Sequence, residues 1–255
     1  SVCHYLLDRC CFTIIQPMNE DWAFDMFQSL NATGTPLTAI ETFKPTVVNT
    51  ASSEPGREYK NSNEERSFDK IDKLFSDTNS ASQKNKLANE FLTSFALAAS
   101  GDKLASHFSK QRRWLEDTFN GLKNYTDKSA FIHFFGNYAE FYKSVWIEYK
   151  GQNDLPISII SSHPDAELVS LLILYLKESN HKMAITILGS FYSAVLDGEE
   201  YSITNFVKAT KLIARFYTIW RSAEGNAGLD NAYRLFFRGE GDTIESNHWA
   251  SKRKI

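Results

Sequence analysis

Apolar and aromatic side chains recur at helical spacing through most of this 255-residue chain, and this pattern constrains the fold more than any other feature. From residue 67 to residue 238 they return every three or four positions, as in amphipathic helices that bury one face. The chain has 19 Phe, 11 Tyr and 5 Trp but only 12 Gly and 6 Pro, too few turn residues for a many-stranded β fold. We therefore expect a mainly α protein, a bundle of seven or eight helices with the aromatic stripes packed in its core.

The composition indicates a folded protein with no membrane partner. Hydrophobic residues make up 42% of the chain, and no apolar run approaches the roughly 18–20 residues of a membrane span. The formal net charge of −3 provides no bulk attraction to nucleic acid, so DNA binding would need a local basic patch. We expect a cytoplasmic location.

A polar stretch at residues 49–66, with Pro55-Gly56 in its middle, is the strongest candidate for a domain boundary. It precedes the helical pattern, and a polar tail follows that pattern. The predicted divisions are 1–48, 49–66, 67–238 and 239–255.

The segment before this boundary predicts a short strand followed by helices. Residues 9–16 are apolar and partly β-branched, which indicates one buried strand. Residues 36–43 predict a short helix that Lys44-Pro45 breaks or bends. Because the chain begins at Ser1 and not at Met, we interpret it as a fragment, a processed piece or a split subunit.

The three cysteines, Cys3, Cys10 and Cys11, all lie in the first eleven residues. An odd number with two adjacent members disfavours a disulfide framework. A zinc site would need a fourth ligand and a more usual spacing, so we favour reduced cysteines and expect no metal.

One stretch is more specific than the rest. Phe27 to Glu41 reads FQSLNATGTPLTAIE, and it resembles the pattern F-x-x-L-N-x-x-G-x-P-L-T-x-x-(D/E) of the GmrSD-type restriction family. The N-terminal domain of that family is similar to ParB and sulfiredoxin. The predicted strand and helix before the motif, and the helical region after it, agree with the family pattern.

The resemblance implies a bacterial anti-phage protein that senses modified or foreign DNA through a ParB-like domain that binds and hydrolyses nucleotide. The motif places Asn31 and Gly34 at the edge of the nucleotide pocket, with Thr38 and Glu41 on the adjoining helix. The residue types alone also fit a plain corner between helices, since Asn and Gly suit tight turns and Thr suits a helix start.

The chain departs from the family in two places. The signature Asp-Gly-Gln-Gln-Arg, which in the family lies upstream of the motif, is absent. The His-Asn-His nuclease is also absent, and Asn247-His248 is its only echo. We therefore expect no catalytic residue or cofactor within this chain, with nucleotide bound only if an upstream half is present. The nuclease would belong to a missing catalytic half or to a separate subunit.

Two basic clusters are candidates for contact with a DNA backbone. The first contains Lys110, Arg112 and Arg113, next to Trp114. The second follows one predicted helix with Lys208, Lys211 and Arg215. Both clusters also fit solvated helix faces balanced by nearby acids.

Two functions from different classes follow. In the first, the chain is part of a restriction protein that senses DNA and controls a nuclease. In the second, it is a non-catalytic helical module that binds a protein or a nucleic acid.

Overall fold

The computed structural model describes residues 37–101, 103–151 and 155–225, together with Met26 and Leu229. The regular secondary structure of this part of the chain is entirely helical, so the predicted mainly α bundle is confirmed. The chain divides into two compact units, Ser1–Pro36 and Leu37–Ile255. The predicted strand, the cysteines, Asn31, Gly34, His248 and the polar tail lie outside the described residues.

Eight α-helices form the described part, with one π-helix and one short 3-10 helix between them. The α-helices are α1 (Ala39–Ser53), α2 (Asn63–Phe75), α3 (Ala81–Ser100), α4 (Phe108–Asn120), α5 (Tyr125–Phe141), α6 (Ala166–Glu178), α7 (Met183–Leu196) and α8 (Ser202–Glu224). The π-helix, Tyr142–Glu148, continues α5, and the 3-10 helix spans Ser158–Ile160.

Helix α1 runs through Pro45, so this proline does not end the helix after Phe43. Phe43 and Val47 lie on either side of Pro45, and both are buried in the same core as the rest of the bundle. Burial of this apolar face offsets the backbone hydrogen bond that a proline removes. The helix also crosses the predicted division after residue 48, and it packs against α4 and α2.

The starts and ends of several helices follow from local side-chain chemistry. Ser62 and Ser80 cap α2 and α3, each accepting a hydrogen bond from the backbone N–H three residues later. Gly101 ends α3 in the left-handed conformation, with φ of 77°. Glycine adopts this conformation without the steric cost that a side chain would add.

The centre of the bundle is the contact between α5 and α7. Gly189 of α7 lies against the Tyr138 ring, and a Cβ built at Gly189 would fall 2.3 Å from Tyr138 Cε2. On another side of α5, a Cβ at Gly136 would fall 2.7 Å from the Ser67 Cα of α2. Two glycines therefore set how closely α5 approaches its neighbours.

Aromatic rings fill the core around this contact. Phe95 of α3 is fully buried, and its ring centroid lies 4.5 Å from that of Phe135 and 5.5 Å from that of Tyr138. These separations are typical of favourable aromatic pairs. The interpretation of the aromatic stripes as core packing is confirmed for these residues.

Helices α6 and α8 form an outer pair. Helix α8 packs on both α6 and α7, so it connects α6 to the centre of the bundle. Lys211 of α8 contacts Asp165 at the start of α6, with 2.6 Å between Nζ and Oδ2. Further along, Tyr175 of α6 meets Thr218 of α8, with 3.0 Å between their hydroxyl oxygens. From the first of these contacts to the second, the residue numbers increase along both helices, so α6 and α8 run in the same direction.

Candidate functional site

Thr38 and Glu41, which the family motif assigns to a nucleotide pocket, lie at the N-terminus of α1. They form a capping box there. The Glu41 backbone N–H donates to Thr38 Oγ1 at 3.3 Å, and the Thr38 N–H donates to Glu41 Oε2 at 2.8 Å. The pair therefore starts the helix, a role that its residue types alone also explain.

The other oxygen of the Glu41 carboxylate accepts a hydrogen bond from Lys84 of α3, with 2.6 Å between Nζ and Oε1. Burial alone would raise the pKa of Glu41, but the hydrogen bonds from Lys84 and Thr38 outweigh it. The net pKa lies below its usual value. Glu41 is thus held ionised, and it ties α1 to α3.

The first basic cluster is divided by burial. Arg112 is only 7% exposed, and its Nη1 donates to both oxygens of Glu116, at 2.9 and 2.7 Å. Lys110 and Arg113 are exposed on the same helix, α4. Two of the three predicted cations therefore face solvent, and the third is held within its own helix.

The second basic cluster lies on α8. Lys208 and Arg215 are exposed, whereas Lys211 is half-buried in its contact with Asp165. Helix α4 packs on α1 and α5, while α8 packs on α6 and α7. The two basic clusters therefore lie on helices that pack against different neighbours.

A feature that the sequence analysis missed lies on the outer pair. Nine large apolar side chains are exposed in the described residues, and six of them belong to α6 and α8. We call these six the α6–α8 face. They are Leu168, Leu171 and Tyr175 on α6, and Leu212, Phe216 and Ile219 on α8.

The spacing on α6 carried a signal for this face. Leu168, Leu171 and Tyr175 form a second apolar stripe beside the buried one that includes Val169 and Ile173. A helix that is apolar on both sides is usually covered on both sides. Periodicity alone locates such a stripe, but it does not say what covers it.

A polar network joins α2, α5 and α7 near the end of α7. The Asn137 side-chain amide donates to Asp197 Oδ1 at 2.8 Å and to Ser193 Oγ at 3.2 Å. Lys70 donates to Asn137 Oδ1 at 2.7 Å. His133 Nε2 lies 2.6 Å from Asp197 Oδ1.

The types Ser, His and Asp meet in this network, but their order does not match that of a catalytic triad. In a triad, one imidazole nitrogen faces the nucleophile and the other faces the carboxylate. Here His133 Nε2 faces the Asp197 carboxylate, and the fully buried Ser193 hydroxyl is bonded by Asn137. We interpret the network as a set of structural hydrogen bonds that hold α2, α5 and α7 together.

A cavity of about 500 Å³ lies beside the π-helix. Its lining includes the polar residues Ser144, Glu148, Ser158 and Tyr192 and the apolar residues Val145, Leu155, Pro156 and Ile157. Lys177 of α6 donates to the carbonyl oxygens of Ile147 and Tyr149 near the end of this π-helix. Burial, together with the nearby Lys150, lowers the pKa of Lys177 to about 8.

Among the described residues, no three of His, Cys, Asp and Glu come together in an arrangement that suits a metal ion. Within the same residues, no helix is both long enough and apolar enough to cross a bilayer. No family model and no curated protein matches the chain.

Proposed function

We propose that the helical part of this chain is a protein-binding module that acts through the α6–α8 face. One observation carries the proposal: six of the nine exposed large apolar side chains in the described residues lie on two helices that contact each other. Soluble monomers rarely expose a contiguous apolar patch larger than a few hundred Å². Larger patches with a charged rim are typical of protein interfaces.

The contacts within the face support a preformed surface. Tyr175 and Thr218 are hydrogen bonded to each other across the seam between α6 and α8. The Tyr217 hydroxyl donates to the Ser179 backbone oxygen at 3.2 Å, just beyond the end of α6. A surface fixed in this way loses less conformational entropy on binding than one that must order itself.

Site-specific cross-linking tests the proposal. A photoreactive amino acid at Leu212, which is 56% exposed, is expected to give a cross-linked protein adduct in cells. The same amino acid at Leu37, which is 45% exposed and lies outside the face, serves as the matched control. No adduct at Leu212 beyond the yield at Leu37 would contradict a protein-binding role.

We also propose a second function that is compatible with the first, namely membership of a bacterial anti-phage restriction system of the GmrSD type. The resemblance of Phe27–Glu41 to the family motif supports it. This proposal includes a cytoplasmic location, a bound nucleotide, DNA as a partner and a nuclease carried elsewhere in the system. The helical module would then be its non-catalytic part.

The motif can be tested through Asn31. In the complete restriction protein, Asn31→Ala is expected to reduce nucleotide turnover while circular dichroism and thermal unfolding stay as in the wild type. Unchanged turnover would remove Asn31 from the nucleotide site.

The basic residues of α8 provide a separate test of DNA contact. The double change Lys208→Ala and Arg215→Ala is expected to weaken DNA binding and to reduce the slope of log affinity against log salt concentration by about 2. Lys86→Ala, which removes an exposed cation from α3, is the matched control. A salt slope equal to that of the wild type would argue against DNA contact at α8.

A further inference from the structure

We infer that the cavity beside the π-helix binds a small organic cation, namely a primary amine with an apolar body. This ligand site lies outside the proposed functions, and its lining shares no residue with the α6–α8 face. The size of the cavity, the hydrogen-bonding groups of its lining, its charge and its apolar side all point to this class of ligand.

The cavity has the dimensions of a small-molecule site. Its volume of about 500 Å³ falls within the roughly 300–1,000 Å³ of pockets that hold ligands of drug size. The π-helix, Tyr142–Glu148, provides part of the lining, and π-helical turns often occur at functional sites. Residues 155–158 and Tyr192 of α7 also line the cavity. Three separate parts of the bundle therefore meet around one space.

The polar residues of the lining favour a ligand that donates hydrogen bonds. Glu148 carries a carboxylate, which only accepts. Ser144 Oγ donates to the Glu140 backbone oxygen at 2.6 Å, so its one proton is used and its lone pairs remain. The hydroxyls of Ser158 and Tyr192 can either donate or accept. An ammonium group, with three N–H donors, therefore suits these residues better than a group rich in acceptors.

Glu148 gives the cavity a negative charge. Among the described lining residues it is the only one with a formal charge at neutral pH, since burial raises the pKa of Tyr192 and keeps that hydroxyl neutral. Lys143 Nζ lies 3.4 Å from Glu148 Oε1 and 3.0 Å from Asp77 Oδ2. Two carboxylates share one lysine there, so negative charge remains for a cationic ligand to balance.

Two further lysines lie near the end of the π-helix, and both are bonded to backbone oxygens. Lys150 Nζ donates to the Ile147 oxygen at 3.0 Å. Lys177 Nζ donates to the oxygens of Ile147 and Tyr149. Neither lysine belongs to the described lining of the cavity. An anionic ligand would therefore meet the Glu148 carboxylate without a lining cation to offset it.

Four residues give the cavity an apolar side, namely Val145, Leu155, Pro156 and Ile157. Leu155 is 38% exposed, so part of this side is open to a ligand. Alkyl or aryl groups gain free energy by leaving water for such a surface. A carboxylate, hydroxyls and an apolar side together match an amine with an alkyl or aryl body. A phosphate ester would instead oppose its own negative charge to Glu148.

Binding of phenethylamine tests the inference, with phenethyl alcohol as the neutral analogue and phenylacetate as the anionic one. In the isotope-labelled full chain, the methyl groups of Val145, Leu155 and Ile157 report on the cavity by NMR. We expect saturable shifts of these signals, with a dissociation constant for the amine of about 1 mM or lower. The alcohol is expected to bind at least about tenfold more weakly, and phenylacetate is expected to cause no saturable shift.

Two matched substitutions test the role of Glu148. Glu148→Gln keeps the size of the side chain and removes its charge, so it is expected to weaken amine binding about tenfold and to leave alcohol binding unchanged. Asp77→Asn is the control, because Asp77 contacts the same lysine, Lys143, but does not line the cavity. It is expected to leave amine binding unchanged.

A bulky side chain at Ser158 tests the position of the site. Ser158→Trp fills part of the cavity and is expected to weaken binding of both the amine and the alcohol at least about tenfold. Ser161→Trp is the control, since Ser161 is also exposed but lies outside the lining. Thermal unfolding of both variants is expected to match the wild type.

Equal binding of the amine and the alcohol, or amine binding that Glu148→Gln leaves intact, would overturn recognition of a cation. Tighter binding of phenylacetate would overturn it as well. No saturable shift of the three methyl signals, or amine binding that survives Ser158→Trp, would show that this cavity is not the site. A preference for the amine that is lost in Glu148→Gln and kept in Asp77→Asn supports the inference.

Discussion

Helices α7 and α6 have similar apolar sequences, MAITILGSFYSAVL and AELVSLLILYLKE, but opposite surroundings. Helix α7 lies at the centre of the bundle and is buried from Ala184 to Val195, except at Ser190. Helix α6 lies in the outer pair and leaves Leu168, Leu171 and Tyr175 exposed. A largely apolar helix therefore stabilises the fold in one place and, in our interpretation, prepares a binding surface in the other.

The sharpest test of this difference removes the same side chain from each helix. Leu188 of α7 is fully buried and Leu171 of α6 is 51% exposed. Leu188→Ala is expected to lower the free energy of unfolding by about 3 kcal/mol, because it removes buried surface and leaves a cavity. Leu171→Ala is expected to change it by less than about 0.5 kcal/mol. Urea unfolding of both variants measures the difference, and equal losses would erase the distinction between the helices.

A smaller effect is expected from adding one methyl group at the centre. Gly189→Ala places a Cβ 2.3 Å from Tyr138 Cε2, so the fully buried ring or the α7 backbone must shift. We expect a loss of about 2 kcal/mol from overpacking. Ser190→Ala, one residue further along α7, is the control because Ser190 is only half-buried. Wild-type thermal stability in Gly189→Ala would mean that the α5–α7 contact is looser than described.

Removing a partly exposed ion pair should lower the free energy of unfolding by an amount between the effects expected at a buried and at an exposed side chain. Lys84→Met removes the partner of Glu41 and is expected to cost about 1 kcal/mol at neutral pH. Because the folded state lowers the pKa of Glu41, its stabilising effect is present above the ordinary value of 4.5 and is lost as the pH falls through the folded-state pKa.

The deficit of Lys84→Met relative to the wild type should therefore narrow as the pH falls below 4.5. Chemical unfolding at a series of pH values measures it, with Lys86→Met as the control. A deficit that stays constant with pH would assign the loss to packing of the lysine stem and not to its charge.

The smallest effect on stability is expected on the outer pair. Leu212→Glu places a carboxylate where the side chain is already 56% exposed, so the free energy of unfolding should stay within about 0.5 kcal/mol of the wild type. Urea unfolding of the variant and of the wild type measures this difference. Both are kept at a protein concentration at which they are monomeric, since any association would add to the apparent stability. A large loss in the monomer would show that Leu212 supports the fold itself.

The sequence predicted most of the helices because their apolar periodicity and their capping residues agree. The stripe containing Phe91 and Phe95 lies in the core as expected, and Gly101 ends its helix. The sequence predicted that Pro45 breaks or bends its helix, and the break is wrong, because burial of Phe43 and Val47 outweighs the local propensity of proline. The proposed DNA contacts and nucleotide role remain predictions.

The candidate binding surface was harder to find from the sequence. Leu168 and Leu171 have the spacing of core residues, and their exposure depends on which helices pack beside α6. The polar network around Asn137 depends on residues about 60 positions apart, such as Asp197, which no local pattern connects. The four-residue spacing of Arg112 and Glu116 on one helix indicates that they can contact each other, but the burial of Arg112 depends on the helices that pack against α4.

The π-helix at Tyr142–Glu148 determines where this chain can change its length. A π-helical turn holds more residues than an α-helical turn, so such a segment equals an α-helix with one residue inserted. Deleting one residue within 142–148 would let the segment wind as a regular α-helix while the chain on either side keeps its position. The same deletion earlier in α5 would rotate each following side chain by about 100° and turn buried rings such as Phe135 and Tyr138 away from the core. Length variation among related sequences is therefore expected to concentrate in this turn.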